Sequence, residues 1–464
     1  MHNTTAILIT LIVYKIVLIS IGVWANKRTH STSDYFLGGR KLGPWVAALS
    51  ASASSSSAWT LMGVSGAAYL WGLPALWLFP ATLSGFLVNW FYIAPRLSVH
   101  SQEMGALTLT DVLATSDSGE SIKALRWMAS VIILFCFVFY IASQFDAAGQ
   151  SFQSTFGIEK NTSIMIGAII VLIYTLLGGF WAVSVSDTLQ GVMMALSAII
   201  LPTVAVTTAG FSTIISDLSS QSLFAAPSGM GGIAALGFIM GTMGIGIAYP
   251  GQPHVVNRFM AIEPGEKIKQ GRIIAIGWAL IIYPGMISLG WAGRILSDIA
   301  GHEQILIVLG NQLLPPVLAG IILAAVLSAI MSTADSQILV ASSSVSHDLK
   351  EKKEEHSLNY TRVVVAVICA LAVIMAIFVD KSIYSRVLFA FSAMGAAFGP
   401  LLMGRMQGGV PRYYALAAMA VGFFLTLLFY YSDYKPEGNP LERLVPFIVS
   451  MVIVQLGRRK QKQG

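Results

Sequence analysis

Apolar stretches of about 20 residues, the length a helix needs to cross a hydrocarbon layer, recur along this chain from end to end. They predict thirteen spans, over residues 5–26, 44–71, 75–95, 124–153, 161–180, 183–208, 232–252, 272–296, 315–346, 361–379, 386–404, 412–431 and 444–457. The polar connections between them are too short for an appended soluble domain. Two spans are interrupted. The second carries Ser50-Ala51-Ser52-Ala53-Ser54-Ser55-Ser56-Ser57, six serines in eight residues. The seventh reads Gly244-Ile245-Gly246-Ile247-Ala248-Tyr249-Pro250-Gly251-Gln252-Pro253, where two prolines and three glycines weaken a continuous helix.

Serine hydroxyls compete for backbone hydrogen bonds. Irregular backbone at membrane depth survives only inside protein or along a cavity. Freed carbonyls and hydroxyls are good ligands for a hard cation such as Na⁺. The other reading of the serine run is close helix packing, which small residues permit. The two breaks stand five spans apart, and paired breaks in corresponding positions mark the binding site of an inverted-repeat transporter. This spacing predicts a single all-α transmembrane domain over 1–464. One repeat covers 44–208 and its inverted partner 232–404, with 5–26 and 412–457 peripheral.

Composition agrees with a polytopic membrane protein: 55% of the 464 residues are hydrophobic and 11% charged, against roughly 25% charged in soluble domains. Of 28 Lys and Arg residues, 21 fall in one set of connections and six in the other, while Lys15 lies inside the first span. The rich set, which includes Arg40, Arg126, Arg258, Arg405 and the Lys350–His356 loop, is expected on the cytoplasmic side. The N-terminus is then outside and the C-terminus inside, in the cell membrane. The net charge of +6 follows from this asymmetry and needs no nucleic acid. No obligate protein partner is evident. Cys136 and Cys369 are far apart, the histidines show no ligand spacing, and no Walker, nucleophile-elbow or zincin motif occurs. Enzyme chemistry is not expected.

Several polar residues stand out within the spans. Ser328, Ser332, Asp335 and Ser336 form a stripe at helical spacing on span 9. Such a stripe faces a cavity or bonds a neighbouring helix. Asp187 opens span 6. A carboxylate in a bilayer costs about 2.5–3.5 kcal/mol on insertion scales, so it is normally paired or functional. If Asp187 and Asp335 meet, a cation lies between them or one holds a proton. Gln144 and Asp146 follow Tyr140 on span 4. Asp146 is expected to bind a cationic solute group, to pair with Lys15, or to meet solvent near the outer end of the span.

These residues bring a family into view. The chain resembles the sodium/solute symporters, most closely their bacterial proline branch. The match runs through Asp34-Tyr35-Phe36-Leu37-Gly38-Gly39-Arg40, Ala48-Leu49-Ser50-Ala51, Trp59-Thr60-Leu61-Met62-Gly63 and Ala106-Leu107-Thr108-Leu109. It continues through Tyr174-Thr175-Leu176-Leu177-Gly178-Gly179-Phe180, Ser186-Asp187-Thr188, Gly251-Gln252-Pro253-His254 and Arg258-Phe259-Met260-Ala261. Ile330-Met331-Ser332-Thr333 and Gly395-Ala396-Ala397-Phe398-Gly399-Pro400 close it. The resemblance implies a LeuT-type 5+5 inverted-repeat fold and Na⁺-coupled uptake of a small solute by alternating access. It implies a Na⁺ site from the carbonyls of Ala53, Ser56 and Ala329 and the hydroxyls of Ser332 and Thr333. It also implies a second cation or proton position near Asp187, Ser332, Asp335 and Ser336. Ser55 stands where the proline branch carries an aspartate, which leaves ion number and H⁺ coupling through Asp187 and Asp335 open. A transporter-like sensor is the remaining alternative.

For the solute, the resemblance implies a site at Ser57, Ala58, Trp59, Tyr140, Ile245 and Tyr249, with Gln144 and Asp146 nearby. Ala58 replaces a glycine and Ile245 a tryptophan of the proline branch. Loss of that indole removes a wall and an N–H donor. An amino acid, or a related zwitterion or carboxylate, is therefore the expected class, without a commitment to proline.

Overall fold

The computed structural model describes residues 2–26, 37–116, 119–177, 180–349, 358–379 and 382–463. Asp34, Tyr35, Phe36, Gly178, Gly179 and the loop from Lys350 to His356 lie outside the described residues. The described chain is almost entirely helical, with two isolated β-bridges. Ten helices are long and apolar enough to cross a membrane, and two shorter apolar helices cover Lys160–Ile173 and Val363–Phe378.

In chain order the elements are α1 (His2–Asn26), α2 (Pro44–Ser55), α3 (Val64–Trp71), α4 (Leu73–Glu103), α5 (Leu109–Ala114) and α6 (Lys123–Phe156). Then come α7 (Lys160–Leu177), α8 (Phe180–Ala209), α9 (Phe211–Ser219), α10 (Gly232–Ile247), α11 (Pro253–Ala261) and α12 (Glu266–Leu296). The last are α13 (Ile305–Leu313), α14 (Pro316–Ser343), α15 (Leu358–Phe378), α16 (Ile383–Arg405), α17 (Arg412–Tyr431), α18 (Pro440–Arg443) and α19 (Val445–Gln463).

Burial separates centre from rim. The apolar window of α16 is 94% buried and that of α14 83%, against 22% for α1. Helix α14 packs against α1, α2, α6 and α8, and α12 packs against α2, α3 and α8. Helices buried this deeply show no polar face to water, and the polar residues Ser328, Ser332, Asp335 and Ser336 of α14 are turned inside the protein.

Both interrupted spans are broken chains. After α2, Ser56 leaves helical geometry (φ −114°, ψ 57°), and a π-turn over Trp59–Gly63 restarts the helix into α3. After α10, a 3₁₀ turn over Tyr249–Gly251 and an extended Gln252 (φ −94°, ψ 102°) lead into α11. Gly251 permits this corner: a Cβ there would meet Gly395 Cα and Met394 O of α16 at 2.6 Å. The short helices α9, α11 and α13 were not anticipated as separate elements. Each is only nine residues long, below the length at which periodicity separates a helix from its flanks.

Candidate ion and solute site

The break after α2 sits against the middle of α14. Ser332 Oγ lies 3.3 Å from both Ala53 O and Ala329 O. Thr333 Oγ1 donates to Ser54 O at 3.0 Å, and Ser54 Oγ donates to Ser332 O at 3.0 Å. Ala53, Ala329 and Ser332 of the expected Na⁺ set thus converge, and Thr333 adjoins them through Ser54. Ser56 adjoins Ala53, to whose O its N–H donates at 3.2 Å, while its hydroxyl pairs with Tyr283 at 3.3 Å. Every one of these residues is buried, and the donor atoms are all oxygen, which suits Na⁺ and not a soft transition metal.

The second cluster differs from expectation in one residue. Asp187 Oδ2 accepts from Ser50 Oγ at 2.7 Å, Ser54 Oγ at 3.2 Å and Arg258 Nη2 at 3.0 Å. Arg258 also donates from Nε to Ser50 Oγ at 3.0 Å and from Nη2 to Ser336 Oγ. Sequence reasoning had placed Arg258 in a cytoplasmic connection, but it is 1% exposed. A lone guanidinium in a window of residues reads as a loop charge; here α11 folds it inward onto a carboxylate. The guanidinium lies among Asp187, Ser336 and Ser50, where a cation had been expected. Asp335 approaches through Ser336 Oγ at 3.4 Å and keeps Oδ2 without a hydrogen-bond partner.

Around the same break, Ser57 Oγ pairs with the Tyr140 hydroxyl at 3.3 Å, and Ala58 N–H donates to Gln144 Oε1 at 3.1 Å. Tyr249 joins through Tyr283: the two hydroxyls are 3.0 Å apart, and Tyr283 also reaches Ser56. The Trp59 and Tyr283 rings are 6.4 Å apart. Ser57, Ala58, Tyr140 and Gln144 therefore form one group, with Trp59 and Tyr249 linked to it by Tyr283. Ile245 is buried one turn before the α10 break. Tyr283 and His254, whose ring stands 5.9 Å from that of Tyr140, were missed; an isolated aromatic in an apolar run carries no signal of its own.

Asp146 does not join this group. Its Oδ2 accepts from Arg386, and Oδ1 lies 3.2 Å from Lys160 Nζ. Lys15 meets Met331 Sδ instead. The Lys15–Asp146 pair is corrected: a buried carboxylate takes the nearest cations that can reach it, and α16 supplies Arg386. With two basic partners, Asp146 is also not an open receptor for a cationic solute.

A further polar knot lies at the far end of α14. Asp111 Oδ2 accepts from the Thr108 and Leu107 N–H groups at 3.1 and 2.9 Å, forming a capping box on α5. Its Oδ1 accepts from Arg126 at 2.7 Å, and His347 Nε2 lies 3.2 Å from Oδ2. Burial alone would raise the Asp111 pKa. The His347 hydrogen bond and charge, the Arg126 charge and the Leu107 N–H outweigh it and hold the carboxyl below its usual range.

The model of the Sodium:solute symporter family matches residues 35–422. The chain belongs to the sodium:solute symporter family. This symporter is 36% identical over 442 residues to a sodium/proline symporter of Salmonella typhimurium, covering 91% of this chain and 87% of that one. It is 34% identical to a high-affinity proline transporter of Bacillus subtilis, covering 87% and 88%. Its fold is that of a solved Na⁺-coupled sialic acid symporter (TM-score 0.78, 18% identity, 97% and 98% covered). A nucleobase-cation-symport-1 family transporter is more distant (TM-score 0.56, 13% identity, 93% and 96% covered). Family membership makes this symporter a multi-pass membrane transporter and not an enzyme, with Na⁺ as coupling ion and a solute as co-transported species.

Proposed function

We propose that this symporter imports an amino acid, or a related zwitterion or carboxylate, across the cell membrane by alternating access. The N-terminus is outside and the C-terminus inside. The broken spans open two inverted repeats over 44–208 and 232–404. Na⁺ binds at Ala53, Ser56, Ala329, Ser332 and Thr333; Asp187, Asp335 and Ser336 line its route. The solute binds beside the breaks, among Ser57, Ala58, Trp59, Tyr140, Ile245 and Tyr249.

One observation carries this reading: Ser332 Oγ within 3.3 Å of carbonyls on both sides, Ala53 across the interface and Ala329 on its own helix. An ion there ties the broken span to α14. Whatever free energy Na⁺ adds to solute binding, the solute must return to Na⁺ binding. Two of the five proposed ligands, Ala53 and Ser56, belong to the broken span, so ordering it for one ligand favours the other. The relatives' named solute makes L-proline the first probe, while Ala58 and Ile245 describe a reshaped pocket. The test is uptake of labelled L-proline and other amino acids into proteoliposomes under an inward Na⁺ gradient. Uptake that collapses with K⁺ replacing Na⁺ supports the reading. Uptake indifferent to Na⁺ but driven by a pH gradient overturns it.

A further inference from the structure

Residues 436–443 leave α17 and settle on α10. A Cβ at Gly241 would lie 2.1 Å from Gly438 O, and one at Gly244 would lie 2.9 Å from Arg443 Cβ. Only glycines allow that approach, so the loop's place is fixed by backbone packing. It buries Arg443 to 5% exposure.

The buried guanidinium has no carboxylate within ion-pair distance among the described residues. Its Nε and Nη1 have no hydrogen-bond partner. It stands over the Tyr384 ring, 5.6 Å from the centroid. The Tyr384 ring in turn meets Trp59 at 6.2 Å and Trp71 at 5.6 Å, both edge-on. The Tyr384 hydroxyl and the Trp59 indole N–H are buried and also lack partners. Unpartnered N–H groups of two side chains, Arg443 and Trp59, therefore flank the Tyr384 ring, at the point where the broken span restarts.

Buried polar groups are nearly always paired, and an unpaired buried charge is the costliest exception. Arginine and the indole N–H can only donate, and a phenol can donate. Their common missing partner is an acceptor, and the guanidinium asks that it be an anion. A guanidinium N–H gives a carboxylate a charge-assisted hydrogen bond, stronger than one between neutral groups. Arg443 and the Asp111 knot lie toward opposite ends of α16: Tyr384 is at its start, and Arg405 at its end donates to Leu113 O in α5.

We propose that Arg443, Tyr384 and Trp59 form a receptor for a carboxylate group of the transported solute, at the end of the pathway opposite the Asp111 knot. This rests on the symport reading above and names the solute group that this end of the site selects.

The test uses the purified full-length protein in detergent, with thermal unfolding as readout. The probes are L-proline, L-alanine, L-glutamate and pyruvate, each against its carboxamide, in NaCl or KCl at equal ionic strength. At least one carboxylate is expected to raise the midpoint in NaCl while its amide does not. Arg443→Gln should raise the half-saturating concentration at least about tenfold. Arg443→Lys, which keeps the charge but loses the directed guanidinium N–H groups, should fall between, as should Tyr384→Phe. A Na⁺-dependent shift equal for acid and amide, or unchanged in Arg443→Gln, overturns the receptor and leaves symport standing. No Na⁺-dependent shift with any probe overturns the symport reading and the receptor together. Should Arg443→Gln fail to fold, the Arg443→Lys and Tyr384→Phe variants decide: unchanged half-saturation in both overturns the proposal.

Discussion

Arg258 donates from Nη2 to Asp187 Oδ2 at 3.0 Å, and neither side chain reaches solvent. The pair joins α11 to α8 with Ser50 of α2 between them, because Ser50 donates to the carboxylate and accepts from Arg258 Nε. Removing one partner leaves the other buried and uncompensated, at about 3–5 kcal/mol. Arg258→Gln and Asp187→Asn are each expected to lower the melting midpoint of the purified protein. The double variant should be less damaged than the sum of the two. Strict additivity would show that the two groups do not act as a pair.

Ser332→Ala removes the hydroxyl that bridges two carbonyls, and Thr333→Ala removes the one bonded to Ser54 O. Each is expected to raise the Na⁺ concentration for half-maximal uptake by about tenfold, equivalent to about 1.4 kcal/mol. Protein level in the membrane should change little. Sodium titration of initial uptake rates checks this, and an unchanged half-activation in both variants would count against the site.

The partner of Asp146 can be read by a double-mutant cycle. Asp146→Asn combined with Arg386→Gln should show a coupling of about 1 kcal/mol or more in stability. Asp146→Asn combined with Lys15→Met should be additive, because Lys15 meets Met331.

Acid stability depends on Asp111. A carboxyl held below its unfolded value contributes stability that is complete above that value and lost as pH falls through the folded one. With the Asp111 carboxyl depressed, its contribution is full at neutral pH and fades below about pH 4. Asp111→Asn should lower the melting midpoint at pH 7, and the gap to wild type should narrow as the pH is taken below 4. A gap that is constant with pH would mean that the capping hydrogen bonds, and not the charge, carry the effect.

Both chain breaks were legible in the sequence because they violate local rules. A run of serines and a Gly-Pro cluster are poor helix in any context, and Ser56 and Gln252 leave helical geometry where those runs fall. The proximity of Ala53, Ala329 and Ser332 was legible only through family resemblance. What stayed hidden was pairing over distance. Asp187 and Arg258 are 71 residues apart, and Asp146 and Arg386 are 240 apart. Nothing near either arginine distinguishes it from a loop charge, since burial of a charge is set by a partner that only the fold brings close. Arg443 was hidden for the same reason, with its glycine seat on α10 lying 199 residues upstream at Gly244.

The seating of residues 436–443 on Gly241 and Gly244 changes how the last helices are to be regarded. The family model ends at residue 422, so this loop belongs to a stretch that a minimal catalogue of transporter parts would omit. Yet it is keyed backbone to backbone into a helix of the core. A chain cut after α16 would keep the ion-binding residues and lose the wedge beside Tyr384. On the proposed receptor, one determinant of solute choice lies outside the two repeats that hold the other site residues, and exchanging the C-terminal hairpin between relatives becomes a way to change that determinant alone.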